Sequence, residues 1–181
     1  MTTHSPTLFD ASAPVFLRYL RQLDGLLARA ENHAAQHGVP PAEILQARLA
    51  PDMLPFCQQV EIAANFALRA CAPLANLPLP AYGPACTTFA ALHARIAAAH
   101  DFVAALQPAH MADAATRTLE SQAGDARVVL PGLEFLTLYA LPNFFFHLTS
   151  AYAILRHLGF PLGKADFDGF HQYAPPSAPP P

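Results

Sequence analysis

Three side chains suited to metal binding or to acid–base chemistry occupy apolar faces of two helical segments. Asn143 and His147 are four residues apart, so on a helix they point the same way, together with Ile154. Glu61 lies in an apolar stripe of an earlier segment. Imidazole nitrogen and carboxylate oxygen are common ligands of divalent metals, so the set could hold zinc or nickel with open positions. It could also be a metal-free polar cluster that fixes helix register, and one histidine without an HxxxH partner favours that interpretation.

The carboxylate of Glu61 needs a partner if its helix face is buried. An unpaired charge in an apolar interior is costly, and it is relieved by pairing or by protonation. Because both helices should be neighbours in a bundle, we expect Glu61 and His147 to lie within direct or one-water hydrogen-bonding reach.

The other titratable side chains are interpreted as surface or packing residues. His33 and His37 have a chelating spacing, but they lie in a polar last turn where imidazolium favours the helix C-terminus. His93 and His100 are expected to face solvent. Cys57, one turn before Glu61, is typical of an inert apolar-stripe cysteine whose pKa is raised.

The elements that must position these residues are helical. Apolar spacing and flanking proline and glycine residues predict long helices over about 13–37, 53–71, 89–106 and 142–158, with short helical pieces in 42–50 and near 133–140. Asp52 is the predicted N-cap of the second long helix. Residues 73–86, with four prolines, predict a crossing loop, and TRTLESQAGDARVVLPG predicts a small β-hairpin. The fold class is therefore all-α, a four-helix bundle with a long crossover and a small hairpin before the last helix.

Composition limits the domain count and the partners. The chain has 181 residues, which fits one domain over 1–170, followed by a proline-rich tail over 171–181 that we expect to be disordered. Hydrophobic residues reach 53% and charged residues only 13%, so part of the surface should be covered in a homodimer. A net charge of −3 without a basic stripe excludes a nucleic-acid partner.

The location of the protein in the cell is predicted from its cysteines and from one long uncharged run of residues. Residues 135–155 carry no Asp, Glu, Lys or Arg, but Pro142, Asn143 and His147 near its middle favour a bundle helix over a membrane span. Three cysteines without metal-ligand spacing, and no visible secretory signal, predict a cytoplasmic protein with reduced thiols.

Several longer motifs carry a family resemblance. QARLAPDM, ALPNFFFHLTSAYAILRHLG and GKADF, with the opening APVFLRYLRQLDGLLARAENHA, resemble an uncharacterised bacterial family of domains of unknown function. That family is grouped with the DinB/YfiT-like bundles, many of which are thought to be metalloenzymes. The resemblance covers about residues 8–170.

The resemblance implies an altered metal site. DinB-like bundles hold a metal with one histidine on the second helix and an HxxxH pair on the last, and these positions fall here on Glu61, Asn143 and His147. Of these three positions, only 147 carries a histidine in this chain. The motifs specific to the smaller family supply further candidate binding residues, which are Arg48, Asp52, Tyr152 and Arg156. Arg48 and Asp52 flank a turn and are interpreted foremost as caps of the second long helix. Tyr152 and Arg156 could anchor an anionic ligand or a neighbouring chain.

Two functions remain open at this point. The first is a non-catalytic bundle that binds a small molecule or a partner and has a degenerate metal site. The alternative is a metal-dependent hydrolase or transferase of the DinB-like class that uses the altered Glu/Asn/His set. Tightly bound stoichiometric metal would distinguish the second from the first.

Overall fold

The computed structural model of the chain describes residues 6–171. Its helices are α1 (Ala13–His37), α2 (Pro41–Leu45), α3 (Phe56–Leu74), α4 (Phe89–Ala104), α5 (Gly132–Glu134), α6 (Leu141–His157) and α7 (Lys164–Asp168). A 3₁₀ turn covers Pro108–Met111, the strands are β1 (Thr118–Ala123) and β2 (Ala126–Pro131), and a π-helical segment covers Phe135–Ala140. This confirms the predicted bundle with its crossover and hairpin. The link predicted over 42–50 is helical only in α2.

The four long helices pack as a bundle in which α3 is the most enclosed. It contacts α4 along one side and α6 along another, while α1 lies against α4. The ring of contacts closes between α1 and α6, where Phe16 and Phe144 meet edge to face with centroids 5.0 Å apart. Both rings are fully buried. Aromatic pairs in this geometry add to the stabilisation that burial alone gives.

The boundaries of α3 differ from the prediction by three residues at each end. The predicted helix covers 53–71 with Asp52 as N-cap, whereas α3 begins after Pro55 and Asp52 lies exposed in the preceding turn. Proline disfavours helical backbone in the residue before it, so Leu54 cannot belong to the first helical turn. At the other end Pro73 is accommodated inside the last turn.

The hairpin leads directly into the last long helix. β1 and β2 pair antiparallel, and the two-residue turn after Ala123 contains Gly124 with a positive φ of 58°. Chain direction then changes through α5 and the π-helical segment, which runs without a break into α6. Within residues 6–171, no helix combines the length and the apolarity needed to cross a membrane.

The segment after α7 packs on α1. The Arg18 guanidinium donates to the carbonyl of Asp168 from both Nε and Nη2, and its carbon lies 3.4 Å from the centroid of the Phe170 ring. Asp168 is buried. Residues up to Phe170, within the domain predicted over 1–170, therefore make contacts with the bundle. Residues 172–181, the rest of the predicted disordered tail, lie outside the described residues.

Deleting residues 174–181 should leave the melting temperature within about a degree, because Pro, Ser and Ala side chains bury too little apolar area to offset the entropy of ordering them. Truncation after Phe167 should lower it by several degrees, since it removes the Arg18 contacts. Thermal unfolding followed by circular dichroism measures both. A drop of several degrees for the short deletion would show that the tail packs on the domain.

Candidate functional site

His147 is held in the interface between α3 and α6 by a glutamine. Its Nδ1 lies 2.7 Å from Oε1 of Gln59, in the first turn of α3. The Gln59 amide nitrogen donates to the carbonyl of Leu54 at 3.1 Å, which orients the amide oxygen toward the histidine. Two turns further along α3, the Phe66 ring stacks on the imidazole with centroids 5.9 Å apart. Gln59 and His147 are both buried.

This environment keeps the imidazole neutral. Burial lowers the pKa of His147 from 6.5 to about 4. Because Gln59 presents an acceptor, the Nδ1 atom carries the proton, and Nε2 keeps its lone pair. A neutral imidazole with one free nitrogen can accept a hydrogen bond or bind a metal.

Glu61 has a different set of partners, on the side of α3 that faces α4. One carboxylate oxygen accepts from the backbone N–H of Cys86 at 2.9 Å, and the other lies 3.6 Å from Arg95. Arg95 is buried in α4 and also donates to Asn65 and to the carbonyl of Pro84, each at 2.9 Å. These groups tie the end of the crossing loop to both helices. The expected partner for the Glu61 carboxylate exists, and it is a guanidinium.

The predicted contact between Glu61 and His147 is replaced by two separate ones. Gln59 and Glu61 are two residues apart, so their side chains leave α3 about 200° apart around its axis. Gln59 points to α6 and bonds His147, whereas Glu61 points to α4. In residues 6–171 no hydrogen bond joins Glu61 to His147.

Asn143, the third predicted ligand, is bound to its own helix. Its amide nitrogen donates to the carbonyl of Tyr139, one turn earlier, at 2.7 Å. Among the described residues, no three His, Cys, Asp or Glu side chains form a group that could hold a metal ion. The donor set of Glu61, Asn143 and His147 therefore does not fit the three-histidine site of DinB-like bundles.

The four candidate binding residues make contacts within the chain. Arg48 is exposed and donates to the carbonyl of Met53 at 2.8 Å, which holds the turn before α3. The Arg156 guanidinium donates to the carbonyl of Leu162 at 2.6 Å. The ring of Tyr152 packs edge to face on Phe167, with centroids 5.6 Å apart. Tyr152 and Arg156 thus fasten the segment around α7 to α6, and Asp52 lies in the turn that Arg48 supports.

Two other histidine pairs and one cysteine complete the predicted candidates. The rings of His33 and His37 stack at 4.1 Å in the last turns of α1. His93 and His100, which were expected to face solvent, are both half-buried, and Nδ1 of His93 lies 2.5 Å from the Asp24 carboxylate of α1. Cys57 is buried, and that burial raises the pKa of its thiol, so it is a poor nucleophile.

Gln59 and Arg95 are the site residues that the sequence-based prediction omits. Gln59 follows another glutamine at the start of α3, and nothing in its spacing separates it from an exposed residue. Arg95 carried a weak signal, because it is a single cation between Leu92 and Ile96 in an apolar, alanine-rich helix. A cation at such a position is buried only if it is paired, and Glu61 is that partner.

Comparison with known proteins gives a family and a fold neighbour. Residues 8–168 match the family described as Domain of unknown function (DUF1993). The structure is similar to that of a DinB family member protein from Shewanella denitrificans, with a TM-score of 0.82 and 34% sequence identity. The match covers 93% of this chain and 96% of that one. A search of curated proteins finds no match.

Proposed function

Because the chain belongs to the DUF1993 family of DinB-like domains, we propose that it is a non-catalytic protein that binds a small molecule or a partner and keeps only a degenerate metal site. One observation carries this proposal: contacts within the chain hold the three candidate ligands apart. Gln59 holds His147 on α6, Arg95 and the backbone of Cys86 hold Glu61 on the side of α3 that faces α4, and the Tyr139 carbonyl holds the Asn143 amide against its own helix. Bringing Glu61 to His147 would require breaking its contacts with Arg95 and Cys86.

Zinc titration by calorimetry tests the proposal on protein purified without chelator. We expect less than stoichiometric metal by elemental analysis and a dissociation constant weaker than micromolar, since one neutral imidazole is the single strong ligand. Micromolar or tighter binding that is lost in His147→Ala would contradict the proposal. His37→Ala is the matched control, because it reports any zinc held by the stacked surface pair with His33.

Two double variants test how the site departs from its superfamily. Gln59→His with Asn143→His places three imidazoles around the interface of α3 and α6, and should strengthen zinc binding at least tenfold. Glu61→His with Asn143→His follows the family alignment instead. This variant should show a smaller increase in zinc affinity, because the side chain at position 61 points to α4 and the change leaves the buried Arg95 without its carboxylate partner.

The metal-dependent alternative has one observation in its favour. Nε2 of the neutral His147 has no partner among residues 6–171, and a neutral imidazole is the form that binds zinc. A second and third ligand would have to come from a rearrangement of Asn143 and Glu61, or from the bound substrate. Turnover of a substrate that depends on added metal and on His147 would establish this function.

Self-association is part of the proposal. Leu138 is 68% exposed and Phe146 is 56% exposed. Phe146 and Leu49 border an open apolar cavity of about 410 Å³ on the outer side of α6. With only 13% charged residues, a second copy covering this face would remove costly apolar surface from water.

We therefore expect light scattering at tens of micromolar to give a dimer, and Phe146→Asp to shift it toward monomer. The matched control is Leu158→Asp, because Leu158 is also an exposed apolar residue but directly follows the C-terminal end of α6. A mass near 19.4 kDa for the unaltered chain would refute the dimer.

A cytoplasmic location belongs to the same proposal. Its support is that Cys57, Cys71 and Cys86 are all buried and free, with no disulfide among them. Free thiols in this number are typical of a reducing compartment.

A further inference from the structure

A second cavity, of about 500 Å³, lies away from His147, between the end of α3, the crossing loop and β1. Its volume falls in the range of small-molecule sites. One part of its wall is polar and another is apolar. The lining residues are Arg69, Pro73, Leu77, Leu79, Tyr82 and the β1 residues 120–122.

Arg69 supplies a cation without an acidic partner. Its Nη2 donates to the Tyr139 hydroxyl and the Ser121 hydroxyl, each at 2.8 Å, and also to the carbonyl of Gln122. No carboxylate pairs with Arg69 in the described part of the chain, and its other nitrogens donate to no protein group there. The acid on the same wall, Glu120, is bound by Arg127. The guanidinium is therefore fixed in place by neutral groups, with donors to spare.

Tyr82 supplies a hydroxyl that lacks a partner. The oxygen is buried and forms no hydrogen bond within residues 6–171. Burial raises the pKa of this phenol, which therefore stays protonated and able to donate. A buried polar group without a partner is destabilising, so its presence on the same cavity wall as Arg69 calls for a reason.

The remaining wall is apolar and accessible. Leu77 is 38% exposed and Leu79 is 49% exposed, and Pro73 also lines the cavity. Exposed leucines beside a fixed cation form an amphiphilic surface, which suits a ligand with one charged end and one hydrocarbon end.

We propose that this cavity binds a small monocarboxylate with an apolar tail, its carboxylate on Arg69 and Tyr82 and its tail along Leu77 and Leu79. This inference rests on the proposed binding function and names the class of ligand. A single unpaired guanidinium matches one negative charge, and the nearby Glu120 disfavours a dianion such as a phosphate monoester. Seating the carboxylate requires a small shift of the loop around Tyr82, because its hydroxyl is closed to solvent.

Calorimetry with octanoate tests the ligand class, using acetate and 1-octanol as the two halves of the probe. We expect octanoate to bind at least about tenfold more tightly than either, since only octanoate satisfies the guanidinium and the apolar wall together. Equal binding of octanoate and 1-octanol would overturn the proposal, because the cavity would then be an apolar crevice only. Absence of octanoate binding at millimolar concentration would overturn it as well.

Tyr82→Phe separates a ligand-binding role from a structural one. Removing a hydroxyl that has no partner should leave the melting temperature of the free protein unchanged or raise it. The same change should weaken octanoate binding about tenfold, because a hydrogen bond to a charged group is lost. Unchanged octanoate affinity in Tyr82→Phe would overturn the assignment of the carboxylate to this hydroxyl.

Leu79→Ala tests the apolar wall, with Leu158→Ala as the matched control. Both leucines are exposed, so neither change should disturb folding. Only Leu79→Ala should weaken octanoate binding, by about fivefold, and acetate binding should not change.

Arg69→Gln should abolish the preference for octanoate over 1-octanol, and a circular dichroism spectrum shows whether the hairpin survives the change.

Failure of this inference is distinguishable from failure of the proposed function. Tight zinc binding through His147 would contradict the non-catalytic proposal and leave octanoate binding at Arg69 intact. Weak zinc binding together with no octanoate binding would contradict the inference about the cavity and leave the non-catalytic proposal intact.

Discussion

Gly132→Ala is expected to destabilise the domain by about 3 kcal/mol or more, the upper end of what overpacking a filled core costs. A Cβ at this position would lie 1.9 Å from the carbonyl oxygen of Ala114, which is backbone and cannot rotate away. Gly132 is buried at the start of α5, and its N–H donates to the carbonyl of Arg117 at 2.9 Å. For a domain of this size, the effect corresponds to a fall of roughly 6–12 °C in melting temperature.

Gly25→Ala is the matched control, and its effect should have the opposite sign. Gly25 lies in the middle of α1, and no atom would lie within 4 Å of an added Cβ. Alanine is favoured over glycine in a helix interior by about 0.5–1 kcal/mol, so the melting temperature should rise by a few degrees. Calorimetric unfolding of the two variants measures both. A Gly132→Ala protein as stable as the unaltered chain would show that the hairpin can move away from 112–116 without cost.

The free energy of unfolding should fall as pH falls from 7 to 4, by up to about 3 kcal/mol through His147 alone. In the folded chain burial lowers the pKa of this imidazole from 6.5 to about 4. Between those two values the unfolded chain binds the proton more readily than the folded one, so acid favours unfolding. The pKa of Asp168 is about 2, held low first by the backbone N–H of Phe170. Its stabilising contribution is therefore lost at lower pH than that of His147.

His147→Asn should flatten this profile, because asparagine can keep a donor directed at Gln59 without titrating. Urea unfolding at pH 7 and at pH 4.5 gives the difference for each protein. His157→Asn is the control, since His157 is exposed in the last turn of the same helix and its loss should leave the slope unchanged. Parallel profiles for the unaltered chain and His147→Asn would mean that the imidazole protonates in place.

The bundle was predictable because proline and glycine mark its boundaries. Gly38 ends α1 in a left-handed conformation, and Thr88 caps α4 through the N–H of Ala91. The three-residue error at the start of α3 has one cause, which is that Asp52 resembles a cap while Pro55 sets the start. The contact of Phe170 with Arg18 has no local sequence signal, because the two residues are far apart in the chain.

The site was harder to predict because α3 is buried on almost every side. When a helix is apolar all round, the period of its hydrophobic residues does not tell which face meets which neighbour. From the sequence, Glu61 was expected to contact α6 because of its carboxylate, and Gln59 was not a candidate. Only the packing of α4 and α6 on opposite sides of α3 assigns Glu61 to Arg95 and Gln59 to His147.

The π-helical segment sets how α6, which follows it directly, is rotated about its own axis. Each residue of an α-helix advances by about 100° around the helix axis. A π-helical turn is wider and contains an additional residue in the same rotation. Shortening 135–140 by one residue would restore ordinary pitch and turn α6 about its axis relative to the hairpin. His147 would then leave Gln59, and Phe144 would leave Phe16. The stack of Phe66 on His147, the contact of Gln59 with His147 and the pair of Phe16 with Phe144 therefore share one geometric dependence on residues 135–140.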